Sequence, residues 1–240
     1  MIILRRTAFL SVLVAAAVLF SGCARYPSTP PQTGRQLVLT VRVAGTINPI
    51  DDIDPGRQRY YFIAIDNDGD ENTGPWALET YGSNGWVTSE FADQGLGMTS
   101  FVEYSVAYQD TGIVYAVRTE NWPLSIHSPQ LPIRTEILDG GSTLRFIIDF
   151  SQIETATILA DQIEQLDINF ITTDNLALNL QDYLAGREWD GLGPSGKSYV
   201  TVDTTSDTFL EGDNGDGHLV SDPDLDIIYW SIEVQTVSSG

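Results

Sequence analysis

The chain has 240 residues, and 33 acidic against 12 basic residues give it a formal net charge of −21. Such a surface repels phosphate backbones and anionic lipid headgroups, which excludes nucleic acid as a partner and leaves divalent cations and neutral ligands such as sugars. Its single cysteine, Cys23, allows neither a disulfide nor thiol chemistry in the rest of the chain.

The N-terminus reads as an export signal spanning residues 1–23. Arg5 and Arg6 precede an apolar run from Ala8 to Phe20, followed by Ser21-Gly22-Cys23. The run is short for a membrane span, and the charged, apolar, small order is that of a leader. The small pair before the cysteine resembles the lipobox of bacterial lipoproteins, with Phe20 where leucine is commoner. That resemblance implies Cys23 as the lipid-bearing residue of an exported chain held on the membrane of a bacterial envelope. A plain signal peptide or a short anchor helix is the alternative. Residues 24–36, rich in Pro, Ser and Thr, read as a flexible tether, and 37–237 as one domain with enough length for a sizeable core.

Period-two alternation then predicts strands almost throughout. "LVLTVRVA" opens the series, and "RYYFIAID" follows and runs straight into an acidic loop. In that loop Asp66, Asp68 and Asp70 alternate, with Asn72 close behind. Acids two apart on a tight loop can turn several oxygens inward, the donor type a hard cation such as calcium requires. This is no EF-hand: Glu71 stands where the sixth-position glycine belongs and Ala77 where the twelfth-position glutamate belongs. The bland reading is a solvated Asp/Asn/Gly turn.

"TSFVEYSVAYQ" and "IVYAVRTE" form a hairpin about Asp110-Thr111-Gly112, and "PIRTEIL" and "TLRFIIDF" another about Asp139-Gly140-Gly141-Ser142. The only helical candidate lies at about 152–165. "LDINFITT" is the next strand. The stretch "GLGPSGKS", Gly191 to Ser198, matches the phosphate-loop pattern, but that loop needs a buried strand before it and a helix after it. Polar "AGREWD" precedes it and strand-like "SYVTVDTT" follows, so nucleotide is not expected. A second acidic loop, "EGDNGDGHLVSDPDLD", offers Asp213 and Asp216 as further calcium candidates, and "DLDIIYWSIEVQTV" closes the series with Trp230 in the core. The sum is an all-β chain, a sandwich of two antiparallel sheets with about 9–10 strands.

A family resemblance rests on two of these segments. The strand "FIAIDND" leading into "DENTGP", and "LDINFITTD" further on, are similar to elements of the DOMON and family-9 carbohydrate-binding-module domains. The resemblance implies a β-sandwich that binds sugar, or haem in some branches, often with structural calcium, and it points to Asp66, Asp68 and Asp70 as the calcium ligands. Haem would need Met and His axial ligands; Met98, His127 and His218 fall in no matching pattern.

Four tryptophans, Trp76, Trp86, Trp122 and Trp189, lie in segments rich in Gly, Pro and Asn. They are candidates for an aromatic platform on which pyranose rings stack, or else plugs at the ends of the sandwich. Catalysis finds no support in the sequence: there is no nucleophilic cysteine, no histidine pair at metal-ligand spacing and no serine elbow. With 33 acids, the mere presence of carboxylates says nothing about a glycosidase. The expected function is that of a lipid-anchored module binding a polysaccharide or another envelope ligand, with a calcium-stabilised loop. The alternatives are a structural or interaction lipoprotein without a small ligand and, last, a glycan-active hydrolase.

Overall fold

A computed structural model describes residues 34–50, 57–69, 74–75, 98–108, 111–117, 126–155, 157–174, 188–193, 198–214 and 220–237. The strands are β1 (Arg35–Val43), β2 (Tyr60–Asp66), β3 (Ser100–Tyr104), β4 (Ile113–Val117), β5 (Ile126–Gln130), β6 (Arg134–Leu138), β7 (Thr143–Asp149), β8 (Gln165–Thr173), β9 (Trp189–Gly191), β10 (Val200–Asp203), β11 (Thr208–Gly212) and β12 (Ile227–Thr236). They form two antiparallel sheets. One runs β11-β12-β1-β7-β6, the other β10-β8-β2-β3-β4-β5, with β9 also paired to β8. The expected two-sheet sandwich is therefore the fold. Among the described residues no helix is long and apolar enough to cross a membrane.

Alternation builds the space between the sheets. Leu37, Leu39 and Val41 of β1, Leu144, Phe146 and Ile148 of β7, and Ile232 and Val234 of β12 face Tyr61, Ile63 and Ile65 of β2 and Leu166, Ile168 and Phe170 of β8. Burying each such side chain contributes about 1.5–3 kcal/mol. Trp230 lies against this core, its ring stacked on Phe170 at 6.2 Å. A second cluster, Phe62, Ala64, Met98, Phe101, Ile113, Ile171 and Trp189, occupies the other face of the larger sheet. Hence β2 is buried on both sides, which is why "YYFIAID" is nearly continuously apolar.

The hairpin expected at Asp110-Thr111-Gly112 joins β3 to β4 through a short 3-10 turn. Gly112 has φ +62°, and a Cβ there would lie 2.4 Å from the Phe146 ring, so both the turn and the core require glycine. The stretch at about 152–165, where at most one short helix was expected, carries only 3-10 turns, at Phe150–Gln152 and Ala160–Gln162. Side chains take the backbone there: Thr155 Oγ1 accepts from Ile158 N at 2.9 Å, and Glu154 Oε1 from Ala160 N at 2.9 Å. Such local acceptors compete with the helical ladder. Strand β1 starts at Arg35. That guanidinium donates to the carbonyls of Ala160, Ile163 and Thr204 and stacks on Phe150 at 4.2 Å.

Candidate functional site

Strand β2 delivers Asp66 to its own end, opposite Asp167 of β8 in the register. Alternation from Phe62 and Ala64 puts Asp66 on the face that carries the second apolar cluster. Asp66 is 3% exposed and Asp167 5%. Asp167 Oδ1 accepts from the Thr201 hydroxyl at 2.7 Å. Asp66 Oδ1 accepts from Asp68 N at 3.2 Å, while its Oδ2 is buried without a hydrogen-bond partner. Burial first, then the neighbouring Asp68 and Asp167, push the Asp66 carboxyl up to about 7. Two abutting buried carboxylates cannot both stay ionised without a counter-charge.

Other unmatched groups gather at this end. Asn67 donates from Nδ2 to the Ile153 carbonyl at 2.6 Å, but its Oδ1 is unpartnered, as is Ser100 Oγ on the neighbouring strand β3. Thus, among the described residues, three of the four buried polar side-chain atoms without a partner lie around the junction of β2 and β3. Asn67, Asp68 and Gly69 also form one wall of an open groove of about 490 Å³, faced by Gln162, Glu164, Asp203 and Thr205. Among the described residues no three Asp, Glu, His or Cys side chains converge as a metal cluster. Asp70 and Asn72 lie outside the described residues, as does Cys23.

The other candidates separate. Asp213 is exposed, and Asp216 lies outside the described residues. Between them Asn214 turns inward: its Oδ1 accepts from Gly193 N at 3.1 Å and its Nδ2 donates to the Gly191 carbonyl at 3.1 Å. This end of the second loop clamps the segment after β9. Trp189 is no part of an exposed platform. It is 6% exposed, paired with Thr173 across β9 and β8, and packed into the second cluster. Trp76, Trp86 and Trp122 lie outside the described residues.

In "GLGPSGKS" the first glycine ends β9, and Gly193 bends at φ +73° with Ser198 against its Cα, where a Cβ would meet Ser198 Oγ at 2.2 Å. The next element is β10, so no helix N-terminus follows the Lys-Ser pair.

Sequence reasoning missed Asp190. It is fully buried, accepting from Ile227 N at 2.8 Å on Oδ2 and from Gly191 N at 2.8 Å on Oδ1, and so ties β9 to β12. Burial pushes this carboxyl up to about 7 against the pull of those N–H groups. The one hint in the sequence is an acid lodged between Trp189 and Gly191. Also missed was the ion network at the start of β2. There Arg59 Nε lies 2.8 Å from Asp222 and Nη2 3.4 Å from Asp224, and Arg57 reaches Asp174 at 2.8 Å, Asp222 at 3.5 Å and Glu188 at 3.8 Å.

Comparison of the chain with protein-family models, with curated proteins and with solved structures finds no match in any of the three.

Proposed function

We propose that this chain is an exported, lipid-anchored binding module that holds a calcium ion at the end of β2 and engages a carbohydrate or another polymer of the bacterial envelope. The observation that carries the reading is the Asp66 carboxylate, buried with one oxygen unpartnered beside Asp167 and Asp68. A hard cation answers that deficit, since it accepts several oxygens and offsets the repulsion among them. Asp66, Asp68 and Asp167 do not converge on one point by themselves, so the ion would bind at Asp66 with Asp68 beside it and Asp70 and Asn72 of the loop that follows completing the oxygens.

Two further points support the module. The segments that resemble the DOMON and family-9 carbohydrate-binding domains, in β2 and β8, are hydrogen-bonded neighbours, so the resemblance falls on one continuous patch. The groove beside Asp68 carries amide, hydroxyl and carboxylate groups, the lining that hydrogen-bonds sugar hydroxyls. The competing reading, an interaction lipoprotein without a small ligand, is favoured by the burial of Trp189, which removes one member of the expected aromatic platform.

The test is melting with calcium, magnesium or chelator at fixed ionic strength, followed by polysaccharide pull-down with and without calcium. Calcium should raise the midpoint by several degrees and magnesium less, because it resists dehydration. Superimposable curves in calcium and chelator would remove the metal. A calcium-responsive protein that retains no polysaccharide would leave the interaction lipoprotein.

A further inference from the structure

Three neighbouring strands of the larger sheet, β10, β8 and β2, bring their ends together beside the calcium site proposed above. The register sets Thr201 opposite Asp167 and Asp167 opposite Asp66; one level further out, Asp203 stands opposite Gln165. Glu164 directly precedes β8, and its carbonyl accepts from Thr204 N at 2.9 Å, which ties the end of β10 to the start of β8. These ends form the open groove of about 490 Å³, lined by the exposed carboxylates of Asp68, Glu164 and Asp203. None of the described residues that line it is basic. Arg35 serves the main chain of the same segments: it donates to the carbonyls of Ala160, Ile163 and Thr204 and stacks on Phe150, so its charge is spent inside the fold.

Asn67 adds a deeper acceptor to this wall. It lines the groove, is 5% exposed, and gives its NH2 to the Ile153 carbonyl at 2.6 Å. That bond fixes the orientation of the amide, so the atom left without a partner is the oxygen, Oδ1. A buried acceptor without a donor is costly, and a bound N–H group relieves it. Thr205 gives both its amide and its hydroxyl to Asp203 Oδ1, at 2.8 and 2.6 Å, and these bonds hold the Asp203 carboxyl below its ordinary value. The groove thus asks for positive charge and N–H donors. We propose that it takes an amino sugar with free, protonated amines, one stretch of a glucosamine-type polymer, its ammonium groups against Asp203 and Glu164 and its hydroxyls against Gln165 and Thr205. The inference rests on the carbohydrate reading above and narrows it. Neutral polymers lack the charge that these carboxylates select, and a chain of net charge −21 repels anionic ones. A sugar also fits better than a basic peptide. Amide and hydroxyl groups stand among the acids and match hydroxyls carried on the same ring as the amine, whereas lysine stems want apolar surface, which Ile158 alone supplies among the described lining residues.

The experiment is isothermal titration calorimetry of the full chain in mild acid, where sugar amines are protonated. The probes are a glucosamine oligomer, its fully N-acetylated counterpart and a lysine peptide of equal charge. The glucosamine oligomer should bind, and the acetylated one about tenfold more weakly or worse, since it offers no charge-assisted bond. Glu164→Gln with Asp203→Asn should weaken the glucosamine oligomer about tenfold, whereas Glu211→Gln with Glu233→Gln, an equal change of charge on the smaller sheet, should leave it within about twofold. Circular dichroism checks that every variant is folded. No binding of the glucosamine oligomer overturns the proposal, as do equal affinities for the two oligomers. Equal weakening by the two double variants also overturns it, reducing the effect to attraction by net charge. A lysine peptide that binds as tightly, with the same dependence on Glu164 and Asp203, overturns the sugar. Neither of those residues is a proposed calcium ligand, so the calcium response of the melting midpoint should survive their exchange. Absence of the amine preference with the calcium response and polysaccharide retention intact removes this inference alone; absence of both in the parent removes the reading beneath it.

Discussion

Strand β2 has two ends that handle buried acid in opposite ways. At its start, Arg57 and Arg59 meet Asp174, Asp222, Asp224 and Glu188, so every carboxylate there has a guanidinium within 4 Å. At its finish, seven residues on, Asp66 and Asp167 abut with Asp68 beside them, and one oxygen of Asp66 has no partner. Strand β8 runs alongside both ends, with Asp167 near its first residue and Asp174 just past its last. The fold and the neighbouring strand β8 are shared; the counter-charge is not. Where the chain supplies its own cation it locks a loop to the sheet. Where it supplies none, an acid in this position either keeps a proton or waits for an ion.

The sharpest way to break the comparison is to make the first end resemble the second. Arg59→Met should remove the guanidinium from a site where both side chains of the Arg59–Asp222 pair are only 8% exposed. Asp222 would keep only the more exposed Arg57 at 3.5 Å, so we predict a loss in urea denaturation towards the lower end of the about 3–5 kcal/mol that a fully uncompensated buried carboxylate costs. The double variant Arg59→Met with Asp222→Leu should recover most of it. A loss below about 1 kcal/mol would mean that the closed end behaves like an exposed pair and that the contrast is false.

The open end should respond in the other direction. Asp66→Asn replaces a carboxylate that repels Asp68 and Asp167 by a neutral isostere, so stability without calcium should hold or rise. The calcium response should vanish with it. Ligand that binds only the folded state stabilises by RT ln(1 + [L]/Kd), about 2.7 kcal/mol at a hundredfold excess over Kd, and that increment is what the variant should lack. Asp167→Asn should give the same result from the neighbouring strand. A calcium response intact in both variants would place any ion elsewhere.

What could be seen in advance follows the range of the interactions. Strands and hairpins were legible because alternation and turn residues act within a few positions: "PIRTEIL", "TLRFIIDF" and the Asp139–Ser142 turn needed nothing distant. Asp66 and Asp68 were legible as acids two apart on one loop. Asp167 was not, because its pairing with Asp66 depends on the β2–β8 register, set by residues some hundred positions apart. The helical candidate at 152–165 shows a nearer limit, where the side chains of Thr155 and Glu154 capture amides that a helix would need for its ladder. Trp189 misled because its neighbours are polar, while the side that decides its burial belongs to β8. Asp190 was hidden for the same reason.

Asp190 gives the smallest and most discriminating prediction, since it shows a third way of keeping an acid inside. It has neither an arginine nor an unpartnered oxygen: the main-chain N–H groups of Ile227 and Gly191 donate to its two oxygens, with Asn214 nearby. These donors favour the carboxylate, yet burial outweighs them and the group is held up to about 7. A carboxyl raised in the fold binds a proton that the unfolded chain has released. Its contribution is therefore full below the unfolded value near 4 and falls as pH rises towards about 7, with no further change above. Asp190→Asn should flatten that part of the stability–pH profile. It should also cost about 1–3 kcal/mol at neutral pH, because the amide NH2 would confront one of the two buried N–H donors. Asp66 titrates over a similar range, so the comparison is made in the Asp66→Asn background; Glu103, which burial also raises, is common to both variants and cancels in their difference. If the single and double variants show the same slope between pH 4 and 7, Asp190 stays ionised in the fold, and its N–H donors alone suffice where β2 needs an arginine or an ion.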